Sequence, residues 1–162
     1  YPPSVISLLP SLIERTGTNS KNGGTITAIY TVLADGDDVT SDPVVDTARA
    51  ILDGHIILSR DLAQQGIYPA IDVNQSISRL MTDIVSEEQT KNSQVLRKYI
   101  SKYYENRDLI LMGGYVQGQD ADLDIAMQLW PSIVNFLKQD DGEPASFSDS
   151  VEALKNLIGG NI

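Results

Sequence analysis

The chain has 162 residues, of which 41% are hydrophobic and 21% are charged, proportions that allow one globular domain or two small ones. Asp and Glu number 22 against 12 Lys and Arg, so the formal net charge is −10. An acidic chain repels phosphate backbones, which argues against nonspecific nucleic-acid binding. With no Cys and a single His, His55, a zinc site of thiolate and imidazole ligands is excluded. No apolar run approaches the ~20 residues of a membrane-spanning helix.

The first half of the chain alternates between helical and extended patterns. In chain order the patterns predict a helix over 5–13 interrupted near Pro10, a strand over 25–33, a helix over 43–52, a short and fully buried strand over 55–59, a helix over 60–65 that ends at Gly66, and an extended segment over 68–73. Strands that alternate with helices are typical of parallel-sheet α/β units.

Beyond about residue 85 the pattern becomes helical throughout. Apolar stripes predict three helices: an amphipathic one covering 95–104, one covering 123–137 and kinked at Pro131, and one that opens near Ser148 and runs to about 158. This change of pattern predicts a domain boundary near residue 84, and therefore two domains, 1–84 and 85–162.

Motifs that would hold a nucleotide or a metal are missing from the sequence. No phosphate loop, dinucleotide fingerprint or His-Glu-x-x-His pair occurs. Asp120, Asp122 and Asp124 imitate the opening of a calcium loop, but Ile125 stands where that loop needs Gly and Pro131 where it needs a carboxylate. We interpret the three carboxylates as residues at the start of a helix, where its dipole favours negative charge. The sequence predicts no metal ligands.

Two side chains are candidates for ligand binding, because of their chemistry and their position next to an extended segment. Arg79 follows an extended segment, and its rigid five-donor fork could bind a phosphate or a carboxylate; a surface salt bridge is the alternative. Tyr68, held by Pro69, could stack its ring on a base, and the alternative is a core aromatic. His55 begins an apolar strand and is interpreted as a packed core or edge residue rather than a general base, because no nucleophile motif accompanies it.

Seven ordered blocks of the sequence resemble one known family. They are 1–5 (YPPSV), 24–33 (GTITAIYTVL), 36–38 (GDD), 51–60 (ILDGHIILSR), 68–72 (YPAID), 76–79 (SISR) and 107–109 (RDL). Together they resemble the flagellar protein export ATPase and its type III secretion relatives, which are related to the catalytic β subunit of rotary ATP synthases. The resemblance runs from residue 1 to about residue 158.

The resemblance implies an α/β fold: the C-terminal half of a RecA-like P-loop NTPase domain, over 1–84, followed by an all-α C-terminal helical domain, over 85–162. In such enzymes the phosphate loop and the catalytic Glu lie upstream of these blocks, and the chain opens at Tyr1 without an initiator Met. We therefore expect a part of a longer ATPase. Full-length enzymes of this kind use ATP and Mg²⁺, whereas this part alone is expected to be inactive.

The resemblance also implies roles for five residues. Arg79 matches the arginine finger that one subunit inserts into the active site of its neighbour in a hexameric ring. Tyr68 matches the aromatic residue that packs on adenine, and Phe147 is a candidate for a second aromatic near the base. Asp37 and Asp38 fall in a loop that moves between subunit conformations and would suit contact with a basic central stalk.

The implied function is ATP hydrolysis by a homohexamer that energises type III flagellar protein export, releasing chaperones and unfolding export substrates. The implied partners are a central stalk, a negative regulator or peripheral stalk protein, chaperone–substrate complexes and the export gate. The implied location is the cytoplasm, peripheral to the inner-membrane export apparatus.

Three alternatives stay open: an injectisome ATPase, a docking module for chaperone–substrate complexes and a stalk, and a rotary ATP synthase subunit. Against the last, residues 113–118 (GGYVQG) stand where those β subunits carry an acidic torque segment.

Overall fold

The structure is a computed structural model that describes residues 3–21, 23–33 and 42–159. The chain divides into two units, one ending at His55 and the other beginning at Ile56. Each unit is compact, because its residues mainly contact one another. The boundary near residue 84 rests on the sequence pattern and stays a prediction.

The first unit contains short elements. They are α1 (Pro3–Ile6), α2 (Leu8–Ile13), β1 (Gly17–Thr18), β2 (Thr25–Ile26) and α3 (Pro43–Ile51). The interruption predicted near Pro10 was wrong: the break falls at Ser7, and Pro10 lies inside α2. Pro10 is tolerated because it lies in the first turn, where backbone N–H groups have no helical acceptor.

The strand predicted over 25–33 is much shorter than the sequence pattern suggests. Only Thr25–Ile26 forms a ladder, pairing antiparallel with Gly17–Thr18, whereas a parallel arrangement was expected. Residues 27–33 have no regular structure, and Ile29 and Leu33 are more than nine-tenths exposed. β-Branched residues favour a strand only where a partner strand and a packed face are available. No such partner pairs with 27–33 within the described part of the chain.

The predicted helix after Pro43 is confirmed as α3. Pro43 occupies its first turn, and the Asp42 side chain accepts hydrogen bonds from the backbone N–H groups of Val44 (2.8 Å) and Val45 (3.4 Å). Such a cap satisfies amides that otherwise lack a partner. Val45 and Ala48 form the buried side of this helix.

The second unit begins within a strand and continues mostly as helices. Its elements are β3 (Gly54–Leu58, which spans the division), α4 (Arg60–Gln64), β4 (Ile71–Ser78), α5 (Met81–Ile84), α6 (Glu87–Glu105), α7 (Arg107–Leu111), α8 (Ala121–Leu137) and α9 (Phe147–Gly159). β3 pairs with β4. The prediction of a fully buried strand here was wrong, since Ile56 and Leu58 are 70% and 69% exposed.

The three helices predicted beyond residue 85 are confirmed, and they share one hydrophobic core. Its buried members are Leu96, Tyr99, Ile100, Ala126, Leu129, Ile133, Leu154 and Ile158. Pro131 lies within α8. The start of α9 differs from prediction by two residues, because the Ser146 hydroxyl, rather than that of Ser148, accepts from a first-turn amide, Asp149 N–H, at 3.1 Å.

Polar and aromatic contacts tie α6 to α8. Lys98 pairs with Asp122 and Lys102 with Asp120, each at 2.7 Å. On the same side of α6, the ring of Tyr103 stacks on that of Trp130 with centroids 3.8 Å apart. α6 is therefore held to α8 by both its apolar stripe and its charged edge.

Among the described residues, no helix is long and apolar enough to cross a membrane.

Candidate functional site

Tyr68 lies at the rim of an open cleft just before β4. Its side chain is 57% exposed, and the cleft has a volume of about 690 Å³. The remaining lining residues are Pro69, Gln139, Asp140, Asp141, Gly142, Glu143 and Pro144. Because the ring is exposed, the alternative of a core aromatic is wrong. Stacking of Tyr68 on a base stays a prediction.

The far wall of this cleft is the segment between α8 and α9. The backbone N–H of Gln139 donates to the Tyr68 carbonyl at 2.8 Å. The Gln139 side-chain amide donates to the Glu143 carbonyl, also at 2.8 Å. Gln139 therefore fixes the segment to Tyr68 and closes its turn, and so sets the shape of the cleft.

The charge of the cleft favours a base over a phosphate. Asp140, Asp141 and Glu143 are exposed at its wall. Carboxylates repel the phosphates of a nucleotide but tolerate a neutral base. The chemistry at Tyr68 therefore fits the base end of a nucleotide and not its phosphate end.

The second predicted aromatic is placed differently. Phe147 is the first residue of α9 and is 74% exposed. It is not among the residues that line the Tyr68 cleft. Its role near a base stays a prediction.

Arg79 is exposed and directly follows β4, which ends at Ser78. The chain enters β4 after Tyr68 and leaves it before Arg79, so these residues stand at opposite ends of an eight-residue strand. The structure does not bring the two together in one cleft.

The strand that leads to Arg79 is anchored at a buried serine. Ser76 is 8% exposed, the one buried polar side chain of the described residues. Its hydroxyl accepts from the Ile57 N–H of β3 at 3.0 Å and donates to the Asp72 carbonyl at 2.6 Å. Its own carbonyl accepts from the Arg97 guanidinium of α6 at 3.0 Å.

The acidic residues at the start of α8 have structural partners. The Asp120 side chain caps the helix by accepting from the N–H groups of Asp122 and Leu123. Asp124 accepts from the Tyr115 hydroxyl and from the Gly118 N–H, both at 2.8 Å. The hydrogen bond from Lys102 is the main cause that lowers the pKa of Asp120. This confirms their interpretation as residues at a helix start.

Two other predictions concern a stalk-contacting loop and metal ligands. Asp37 and Asp38 lie outside the described residues, so their predicted role in a stalk-contacting loop stays a prediction. Within 3–21, 23–33 and 42–159, no group of three or more acidic or His side chains is arranged to hold a metal ion.

Sequence reasoning missed Gln139 and Arg97. Both act through contacts with residues far away in the chain, which no local pattern reveals. One signal was present for the loop, since Gly142 and Pro144 mark a turn after α8. For Arg97 the signal was weak: it is the one arginine in a helix whose other cations are lysines.

Two family models match the chain. The nucleotide-binding domain of the ATP synthase alpha/beta family matches residues 1–78. The C-terminal domain of the type III secretion system EscN ATPase matches residues 85–156.

Individual relatives match almost the whole chain. The flagellum-specific ATP synthase of Salmonella typhimurium is 50% identical over 154 residues, which are 95% of this chain and 34% of that protein. The assembled ATPase EscN of the enteropathogenic E. coli type III secretion system superposes with a TM-score of 0.90 at 41% identity, covering 97% of this chain and 37% of EscN. EscN in complex with its central stalk EscO gives a TM-score of 0.84 at 39% identity, with coverages of 97% and 36%.

The chain spans about a third of the length of these relatives. Its first part matches a nucleotide-binding domain, and its second part matches the C-terminal domain of the type III secretion system EscN ATPase. The chain thus belongs to the family of flagellar and type III secretion ATPases, related to the ATP synthase α/β subunits.

Proposed function

We propose that the full-length protein is a homohexameric ATPase that energises type III flagellar protein export, releasing chaperones and unfolding export substrates. Family membership supports the class of reaction, and 50% identity to a flagellum-specific relative favours the flagellar system over an injectisome. By the same reasoning the enzyme works in the cytoplasm, peripheral to the inner-membrane export apparatus.

The observation that carries the proposal is the placement of Arg79. An arginine that completes the active site of a neighbouring subunit must be exposed. Its backbone must also be held in place by a well-anchored helix or strand. Arg79 is exposed, and three residues before it the strand is anchored at buried Ser76. Its separation from Tyr68 by the whole of β4 supports a division of labour: Tyr68 serves the base in its own subunit, and Arg79 serves the phosphates of the next.

The residues present fit one end of ATP. The Tyr68 cleft suits the base, and this chain carries no phosphate loop and, in its described part, no metal-holding cluster. Mg²⁺ and the phosphate loop would supply charge neutralisation at the β- and γ-phosphates from the rest of the enzyme. The chain alone is therefore expected to be inactive.

The chemistry explains why an arginine is suited to this position. Phosphoryl transfer spreads developing charge over the γ-phosphate oxygens, and a guanidinium supplied from a neighbouring subunit stabilises it, contributing about 10³- to 10⁵-fold in rate. A lysine provides a point charge in place of a planar fork and fits this geometry less well.

The test is substitution in the full-length protein. Arg79→Ala is expected to leave nucleotide affinity within about twofold and to lower turnover by about 10³-fold or more. Arg79→Lys is expected to recover only a small part of the activity. Lys91→Ala, which removes another exposed cation, on α6, serves as the matched control and should retain wild-type turnover. Wild-type turnover in Arg79→Ala would contradict the proposal.

A second role, docking, is favoured by exposed apolar residues at the end of α7 and in the segment that leads to α8. Leu111, Met112 and Val116 are 71%, 82% and 62% exposed, in a part of the chain that matches the EscN C-terminal domain. We propose that residues 85–162 contact a central stalk, as a stalk contacts EscN, and also chaperone–substrate complexes. The negative regulator or peripheral stalk protein and the export gate remain proposed partners of the full-length enzyme.

This docking role can be separated from the catalytic one by binding without nucleotide. The 162-residue chain, immobilised, is expected to retain a purified export chaperone–substrate complex in the absence of ATP. A double variant, Met112→Ser with Val116→Ser, should reduce retention if the apolar residues contribute. Retention only by the full-length, nucleotide-bound enzyme would argue against an independent docking module.

A further inference from the structure

Arg97 provides a hydrogen-bonded connection between α6 and β4, the strand that ends just before Arg79. Its guanidinium Nη2 donates to the Ser76 carbonyl at 3.0 Å, across 21 residues of sequence, in a partly buried position. A hydrogen bond from a charged donor in such surroundings is stronger than one between neutral groups. The contact therefore holds β4 against α6 at one defined point.

α6 is a rigid support for this contact. Its neighbouring residues Leu96, Tyr99 and Ile100 are each at most 5% exposed and belong to the core shared with α8 and α9. A helix packed in this way cannot rotate freely, so the core fixes the point from which the Arg97 side chain leaves α6. The position of the Ser76 carbonyl is then set by the helical region as well as by β3.

The anchored point is close to Arg79. Within the described part of the chain, the buried residue nearest to Arg79 in sequence is Ser76, and residues 77–80 are exposed. Three residues of extended chain span about 10 Å. A displacement of Ser76 therefore also shifts the backbone of Arg79, which lies just after the end of β4.

We propose that Arg97 is a positioning residue for Arg79: by holding the Ser76 carbonyl, it fixes the end of β4 so that Arg79 reaches the neighbouring subunit in a productive geometry. The inference rests on the proposed function of Arg79. Misplacement of a catalytic group by about 1 Å can cost about a hundredfold in rate, so loss of the anchor should reduce the rate without removing the arginine itself.

The test uses the full-length enzyme and separates kcat from KM. Arg97→Met keeps an apolar stem but removes the donors, and is expected to lower kcat by about tenfold to a hundredfold while the KM for ATP changes less than about twofold. Arg97→Lys keeps a charged donor and should recover part of that loss. Lys98→Met, at the next position of α6, removes an ion pair to α8 and not a contact with β4, so its kcat should match wild type.

Ring assembly and the thermal midpoint are measured for each variant alongside Arg79→Ala. A kcat for Arg97→Met within twofold of wild type, with Arg79→Ala inactive, would overturn the positioning role and leave the proposed function intact. Loss of assembly in both Arg97 variants would identify Arg97 as a folding determinant and also overturn it. Normal turnover in Arg79→Ala would instead remove the proposed function on which the inference rests.

Discussion

At the scale of single residues, the sequence predicts the chemistry of the candidate site's side chains but not the residues that they contact. The sequence predicted Arg79 as a candidate because its guanidinium has several hydrogen-bond donors. It predicted Tyr68 because an aromatic ring precedes a proline. The structure leaves both exposed. Their supports, Arg97 and Gln139, escaped prediction because each acts on a residue distant in sequence. Long-range partners are decided by packing of whole elements, which a local pattern does not encode.

Tyr68 gives a prediction that isolates its ring. In the full-length enzyme, Tyr68→Ala is expected to raise the KM for ATP by about fivefold to tenfold, since stacking on a base contributes about 1 kcal/mol or more and this ring is more than half exposed. Tyr68→Phe keeps the ring and should behave like wild type. Steady-state kinetics decide the matter: equal losses in both variants would show that the hydroxyl, not the ring, makes the contact.

At the scale of elements, the sequence predicts a helix or strand correctly when the element is long and when a neighbouring element is available to pack or pair with it. α6, α8 and α9 each repeat their apolar stripe over several turns and were predicted by pattern. The stretch 25–33 has strong strand propensity but forms only the two residues of β2, because propensity does not provide a neighbouring strand. The helix break also shows that a residue's general preference does not decide local structure. It falls at Ser7 and not at Pro10, because a proline in the first turn of a helix is tolerated.

The start of α8 gives a prediction about pH. The ion pair with Lys102 lowers the pKa of Asp120, so the folded chain releases this proton more readily than the unfolded chain does. The stabilisation is therefore present above the unfolded pKa of about 4 and is lost as the pH falls through the lower folded value. Asp120→Asn retains a capping oxygen and should reduce the free energy of unfolding at pH 7 and progressively less below pH ~4.

Denaturant unfolding of the 162-residue chain, followed by the fluorescence of its single Trp, Trp130, measures this difference. The ring of Trp130 stacks on Tyr103 between α6 and α8, so its emission reports on the relevant packing. In a Lys102→Met background, where Asp120 has lost its cation, the effect of Asp120→Asn should shrink. An unchanged effect there, or one that grows in acid, would contradict the assigned cause.

At the scale of the whole molecule, the chain exposes apolar residues on its extended segments and buries them among its long helices. Ile29, Leu33, Ile56 and Leu58 are all largely exposed, whereas the α6, α8 and α9 core is closed around Ala126 and Ile133, both 0% exposed. Contiguous exposed apolar patches are typical of surfaces that contact other protein. The described sheets have only two strands each. The α/β class of the first part therefore rests on the alternating sequence pattern, on the family resemblance and on the match to a nucleotide-binding domain.

The central claim is that Arg79 acts in the active site of an adjacent copy, and mixed rings test it most directly. Full-length Arg79→Ala subunits are combined with subunits whose phosphate-loop lysine is replaced; neither parent should turn over ATP alone. In mixed rings, an Arg79-bearing subunit can complete the intact nucleotide site of its neighbour, so we expect turnover to reappear and to peak at intermediate mixing ratios. Rings that form at every ratio and stay inactive throughout would contradict the account.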